Sequence, residues 1–164
     1  VLGAGLLIDV ADYSHVFDGP GIILIGHESD FAFEKREGRA GLLYTRKRQL
    51  DPDLPTQLRT SLRHALAACQ LLESDTTFQP ALKFRPNEVE IRFADRLQTP
   101  NQPETFDRVK DDLQAVLSEL YGGSPVEFVP VQQDARNLFT VQVNSASPLG
   151  LADLLQNLQT VVSE

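Results

Sequence analysis

The segment 103–123, PETFDRVKDDLQAVLSELYGG, decides the fold class because it contains the clearest helical pattern in the chain. Its apolar residues recur every three or four positions, the spacing that places side chains on one face of an α-helix. Pro103 suits the first turn of a helix, and Gly122 and Gly123 can end one. We therefore predict a helix over Pro103–Tyr121, with a buried stripe formed by Phe106, Val109, Leu113, Val116, Leu117 and Leu120.

Strand patterns lie on both sides of this helix. Upstream, Glu88–Asp95 alternates polar and apolar residues, as a half-buried strand does. Downstream, Val126–Val131 and Leu138–Asn144 predict a hairpin. Pro130 places the first of these strands near a sheet edge, because proline cannot donate to a strand ladder. We expect a last helix to open at Pro148.

The N-terminal third predicts three strands and then a helix. The strands are Leu6–Tyr13, Ile22–Glu34 and Gly41–Arg48, separated by glycine-containing turns. The helix covers Asp53–Glu73, with Asp53 as its N-terminal cap. Alternation along the second strand puts five residues on one face: Ile23, Ile25, His27, Phe31 and Phe33.

The resulting order, βββα followed by βαββα, predicts an α+β protein. We expect a mainly antiparallel sheet with three helices packed on one face, which is a two-layer sandwich. At 164 residues the chain predicts a single domain over 1–164. A polar, proline-interrupted connector at 76–87 gives the alternative of two lobes, 1–75 and 88–164.

The composition is typical of a soluble globular protein, with 41% hydrophobic and 23% charged residues and a net charge of −8. A single cysteine, Cys69, excludes an internal disulfide and is compatible with a reducing compartment, and we expect a cytoplasmic protein. The apolar run at 1–8 is shorter than the roughly 20 residues of a membrane span. We expect no membrane span, and the overall negative charge argues against a nucleic-acid partner.

Charge is distributed unevenly along the chain. Residues 1–34 contain six acids and no Lys or Arg, whereas residues 35–64, the basic segment, contain eight bases and three acids. A basic segment in an acidic protein either pairs with its own acidic neighbours or faces an anionic partner. The candidate docking residues are Arg39, Arg46, Lys47, Arg48, Arg59 and Arg63.

Signals for chemistry are few. His15 and His27 are weak metal or catalytic candidates, because alternation sends His27 to the face opposite Glu28 and favours a hydrogen-bonded core histidine. We predict no metal site. Cys69 lies on the buried stripe of its helix, where a thiol is unreactive. The glycines of 1–5 lack the preceding strand and the third glycine of a dinucleotide-binding fingerprint, so we predict no cofactor.

Three functions remain open, of which an RNA-binding accessory domain is the least favoured. We favour a non-enzymatic interaction or assembly domain, which docks through the basic segment on an acidic protein surface or on a second copy of itself. The alternative is a small-anion or metabolite-binding protein, or an enzyme. It would use His27 or His15 with Arg46 or Arg59, since guanidinium groups suit carboxylates and phosphates.

Overall fold

The computed structural model describes residues 7–17, 19, 21–36, 38–48, 53–77, 82–131 and 134–159. These residues contain seven strands and three helices, in the order ββββα and then βαββα. The predicted α+β class with antiparallel strands is confirmed, and the strands form two sheets. The chain divides into two compact units, Val1–Phe84 (unit 1) and Arg85–Glu164 (unit 2).

The division between the units falls within the predicted connector 76–87. Residues 78–81 of that connector lie outside the described residues, as do 1–5. Glu73 holds the following stretch, since its carboxylate accepts the Phe84 N–H at 2.7 Å and pairs with Lys83 at 2.8 Å. The residues just before the division are therefore bonded to α1 of unit 1. Both organisations, a single domain over 1–164 and two lobes over 1–75 and 88–164, stay predictions.

Unit 1 contains a four-stranded antiparallel sheet and one helix. Each strand pairs with the next one along the chain, so β1 and β4 are the edges. The elements are β1 (Leu7–Tyr13), β2 (Gly21–Gly26), β3 (Ser29–Arg36), β4 (Arg39–Arg46) and α1 (Leu54–Ser74). Asp53 caps α1 as predicted, because its side chain accepts the Thr56 N–H at 2.8 Å.

The strand predicted over Ile22–Glu34 is two strands, joined by a turn at His27 and Glu28. Since β3 folds back on β2, Leu24 pairs with Phe31 and Ile22 pairs with Phe33. These four side chains share one face, and Ile23 and Ile25 lie on the other. The predicted common face for Ile23, Ile25, His27, Phe31 and Phe33 is therefore wrong, because alternation alone does not show where a strand reverses.

The helix of unit 1 packs against β4. The Tyr44 ring stacks on His64 of α1 with centroids 5.3 Å apart, and it also contacts Phe31 at 5.0 Å. We call the face that carries these rings the α1 face. On α1, the most buried residues are Leu58, Leu62, Leu66 and Ala68.

Unit 2 contains a three-stranded antiparallel sheet and two helices. Its elements are β5 (Glu88–Phe93), α2 (Pro103–Leu120), β6 (Val126–Pro130), β7 (Phe139–Ser145) and α3 (Leu151–Asn157). The sheet order β5-β7-β6 puts β6 at an edge, as Pro130 predicts. The predicted stripe of α2 is confirmed at Val109, Leu113, Val116, Leu117 and Leu120, all of which are buried.

The core of unit 2 contains fully buried side chains from both of its layers, the helices and the sheet. Leu113, Leu117 and Leu154 have no exposed surface, and the same holds for Val141 and Val143 on the central strand. Tyr121 follows α2 and is 1% exposed, and its hydroxyl donates to the Pro86 carbonyl at 2.8 Å. This bond joins the end of α2 to the residues just before β5.

Candidate functional site

The basic residues at the end of β4 point to different sides of the sheet. Strand alternation places Tyr44 and Arg46 on the α1 face and Lys47 on the other. The Lys47 ammonium pairs with Asp30 at 2.7 Å and donates to the Gly26 carbonyl at 2.9 Å. The charge of Lys47 is therefore largely balanced within unit 1.

Two further bases lie one helical turn apart on α1. Arg59 is half-buried near the N-terminus of the helix, and Arg63 is exposed. Hydrogen bonds from the backbone and side chain of Thr56 lower the pKa of Asp53, and the nearby charge of Arg59 lowers it further. Arg59 thus lies beside the helix cap, whereas Arg63 faces solvent.

His64 brings the bases of β4 and α1 together. The pKa of its imidazole is lowered by burial first, and then by the charges of Arg63 and Arg46. Arg46 comes from β4 and Arg63 from α1, so both elements contribute positive charge around one ring. We call Tyr44, Arg46, Arg63 and His64 the His64 cluster.

Sequence reasoning missed His64 as a functional residue. It lies four residues after Thr60 on a helix face with no neighbouring acid or cysteine in the sequence, so its spacing carries no signal for metal binding or catalysis. The signal that could have found it is tertiary: Tyr44 is the only aromatic residue of the basic segment, and it needs a ring partner.

The remaining predicted docking residues are solvent-facing. Arg39 and Arg48 are exposed, at the beginning of β4 and just after its end. Arg48 and Arg63 have no ion-pair partner among the described residues. Arg48 and Arg63 can therefore offer bidentate hydrogen bonds to carboxylates.

His15 and His27 do not form a common site. Both are exposed, and they lie in the turns at opposite ends of β2. Six residues separate these turns, which corresponds to about 20 Å along a strand. The predicted core position of His27 is wrong, because a turn residue projects from the end of the sheet. Among the described residues, no group of three His, Cys, Asp or Glu side chains could hold a metal ion.

Cys69 is not a nucleophile in this environment. Burial raises the pKa of its thiol to about 12, and the charge of Glu73 adds to the increase. The thiolate, which is the reactive form, is therefore negligible at neutral pH. This agrees with the sequence-based prediction of an unreactive cysteine.

An open hollow of about 400 Å³ lies in unit 2, at the ends of β6 and β7. Glu127 is the only charged residue of its lining, and the Ser145 hydroxyl there already donates to the Pro125 carbonyl at 3.2 Å. The hollow is lined by Pro125, Val126, Glu127, Asn144, Ser145 and Ala146. Its lining is not suited to acid–base or covalent chemistry.

Comparisons with protein-family models, with curated proteins and with solved structures found no match to this chain. No helix among the described residues is both long enough and apolar enough to cross a bilayer. The His64 cluster and the exposed arginines near it are therefore the strongest candidate site on the evidence of geometry.

Proposed function

We propose that this chain is a non-enzymatic interaction domain whose basic segment docks on an acidic protein surface. One observation carries the proposal: the Tyr44 and His64 rings stack with their centroids 5.3 Å apart, so that Arg46 of β4 and Arg63 of α1 both lower the pKa of His64. The basic segment has eight bases and three acids, a net +5, in a chain of net −8. A localised positive patch on an acidic protein favours a partner with localised negative charge.

A protein partner is favoured over a nucleic acid by the use of Tyr44. Proteins that bind single strands need accessible aromatic rings on which bases stack. The Tyr44 ring already contacts His64 on one side and Phe31 on another. The negative charge of the whole chain also opposes a long phosphate polymer. Carboxylates on a folded protein match the arginine geometry without requiring a stacking platform.

A non-enzymatic role is favoured by the state of the reactive groups. The Cys69 thiol has a pKa raised to about 12 by burial, and His15 and His27 lie at opposite ends of β2. The His64 ring has a pKa that is lowered by burial and by the charges of Arg63 and Arg46. Catalysis by a general base requires a positioned proton donor or nucleophile within hydrogen-bond distance.

The proposal is tested with labelled polyglutamate as the acidic probe, by fluorescence anisotropy. Reversing both exposed arginines, as Arg48→Glu with Arg63→Glu, should weaken binding about tenfold and reduce its salt dependence. The matched control is Arg96→Glu with Lys110→Glu, which makes the same change of charge at exposed positions of unit 2. Equal affinity for the native protein and the arginine variant would contradict the proposal. Inorganic phosphate that competes at low concentration would instead favour the small-anion alternative.

A further inference from the structure

The sheet of unit 1 leaves an apolar area exposed on its α1 face. Register places Val10 opposite Leu24 and Ile22 opposite Phe33, so all four side chains lie on that face. Their exposed fractions are 53% for Val10, 48% for Ile22 and 37% for both Leu24 and Phe33. A contiguous apolar area of this kind is typical of an interaction surface.

One helix is too narrow to cover this sheet. A helix with its side chains is about 10–12 Å wide, and neighbouring strands are about 4.8 Å apart, so a helix covers roughly two strands. α1 lies over β4, where Tyr44 stacks on His64. The part of the α1 face formed by β1 and β2 is therefore one helix short of full coverage.

β1 is also an edge of the sheet, and its register with β2 shifts between Leu7 and Asp9. It has seven residues and no strand beside its outer side among the described residues. Proteins commonly protect such an edge with proline or lysine, and β1 contains neither. Its only charged residues are Asp9 and Asp12, both exposed.

The opposite edge carries the opposite charge. Residues 39–48, which form β4 and its extension, contain Arg39, Arg46, Lys47 and Arg48 and no acid. Strand β3 beside them contains two acids and two bases, so its net charge is zero and the excess of four positive charges remains. The two edges of one sheet are thus electrostatically complementary.

We infer that β1 of one copy of this chain pairs with β4 of a second copy. In a meander of four antiparallel strands β1 and β4 run in opposite directions, so a second β4 placed beside β1 continues the antiparallel order. The α1 helix of the second copy then lies on the same side of the sheet as Val10 and Leu24 of the first copy and covers these exposed side chains. Pairing between two β1 strands would bring acidic edges together and supply no helix.

The inference rests on the proposed function and names the partner of the basic segment: the acidic β1 side of another copy. Asp12 lies on the α1 face, where the second copy presents Arg63 on its helix. A head-to-tail contact of this kind forms either a ring or a filament. Two copies together supply eight strands, a number that is sufficient for a closed sheet.

The test is a charge swap followed by sedimentation velocity at low salt. The acid variant is Asp9→Lys with Asp12→Lys, and the base variant is Arg48→Glu with Arg63→Glu. The native protein should sediment as a species heavier than its 18.2 kDa chain, and each variant alone should sediment as the monomer. Mixing the two variants should restore the heavier species, because both contacts in the mixture are again complementary. The matched control, Asp107→Lys with Asp111→Lys on α2, should associate like the native protein.

Two results would overturn this inference. One is a native protein that stays at 18.2 kDa at all concentrations. The other is association that the acid variant leaves unchanged. Polyglutamate binding separates the two proposals. A monomer that binds polyglutamate through Arg48 and Arg63 overturns the self-pairing and leaves the proposed function standing, whereas a monomer that does not bind it overturns both.

Discussion

The two units differ in how completely they bury their apolar residues. In unit 2, seven large side chains from α2, β7 and α3 have no exposed surface: Leu113, Val116, Leu117, Leu120, Val141, Val143 and Leu154. In unit 1, the most buried residues retain 5–7% exposure, and Val10 of β1 is 53% exposed. Among the described residues, unit 2 has two helices for three strands, whereas unit 1 has one helix for four strands. A unit whose helices cover its whole sheet buries its own core. A unit whose helices cover only part of the sheet leaves an apolar surface on which a partner can pack.

The largest expected effect is the loss of a leucine from the closed core. We expect Leu117→Ala to lower the free energy of unfolding of unit 2 by about 2–5 kcal/mol, because the residue is fully buried and leaves a cavity. The same change at Leu24, which is 37% exposed, should cost less than about 1.5 kcal/mol in unit 1. Hydrogen exchange measured separately in each unit reports both values. If both variants lost the same free energy of unfolding at low protein concentration, the face of the sheet that carries Leu24 would be covered within one chain.

The next effect concerns the hydroxyl of Tyr121. Tyr121→Phe removes the donor to the Pro86 carbonyl at 2.8 Å and leaves an apolar ring beside that acceptor of a half-buried residue. We expect the free energy of unfolding to fall by about 0.5–1.5 kcal/mol, which is the net contribution of one hydrogen bond. Urea unfolding measures this loss. Tyr13→Phe at an exposed site of unit 1 is the control and should change little. An unchanged midpoint for Tyr121→Phe would mean that water replaces the hydroxyl.

Much of unit 2 could be predicted because its signals are local. The stripe of α2, the glycines after it and the position of Pro130 each specify structure within a few residues. The reversal of the chain at His27 and Glu28 could not be predicted. Hairpin turns are recognised in a sequence by Asn-Gly or similar pairs, and this turn contains neither Asn nor Gly. Period-two alternation continues through it, so one long strand and two short ones give the same pattern.

The candidate site was predicted only in part. The basic segment and its arginines could be listed from sequence, and the pairing of Lys47 with Asp30 could not, because it depends on the register of β3 and β4. The approach of Arg46 and Arg63 to His64 depends on how α1 packs on β4. Such contacts are long-range, and no local propensity encodes them.

A smaller effect tests where unit 1 ends. Glu73→Gln removes the charge that pairs with Lys83 and weakens the bond from the Phe84 N–H, which should cost about 1 kcal/mol. Burial alone would raise the pKa of Glu73, but hydrogen bonds from Lys83 and Phe84 and the charge of Lys83 lower it overall. Its stabilising contribution is therefore present above pH 4.5 and is lost as pH falls through the lower folded-state value.

The measurement for Glu73 is urea unfolding as a function of pH, followed by hydrogen exchange at residues 82–84. The variant should expose these amides and should lose less stability than the native protein on acidification. Glu127→Gln, at an exposed position of β6, serves as the control. If the Phe84 amide stays protected from exchange in the variant, residues other than Glu73 hold the end of unit 1 against α1.

The smallest expected effect concerns His64. Burial, Arg63 and Arg46 lower the pKa of His64 below its usual 6.5, so the unfolded chain binds its proton more readily than the folded one. Stability should therefore decrease as pH falls from 6.5 toward the folded-state pKa, and the slope from this group should vanish below that value. His64→Phe keeps a ring against Tyr44 and removes the titration, so its stability should fall less over the same range. Urea midpoints across this range measure the difference, with His15→Gln at an exposed position as control.

A docked carboxylate would raise the pKa of His64, so the dependence of stability on pH should become weaker when polyglutamate is present. A slope that is steep with and without the probe would place the acidic partner away from the His64 cluster.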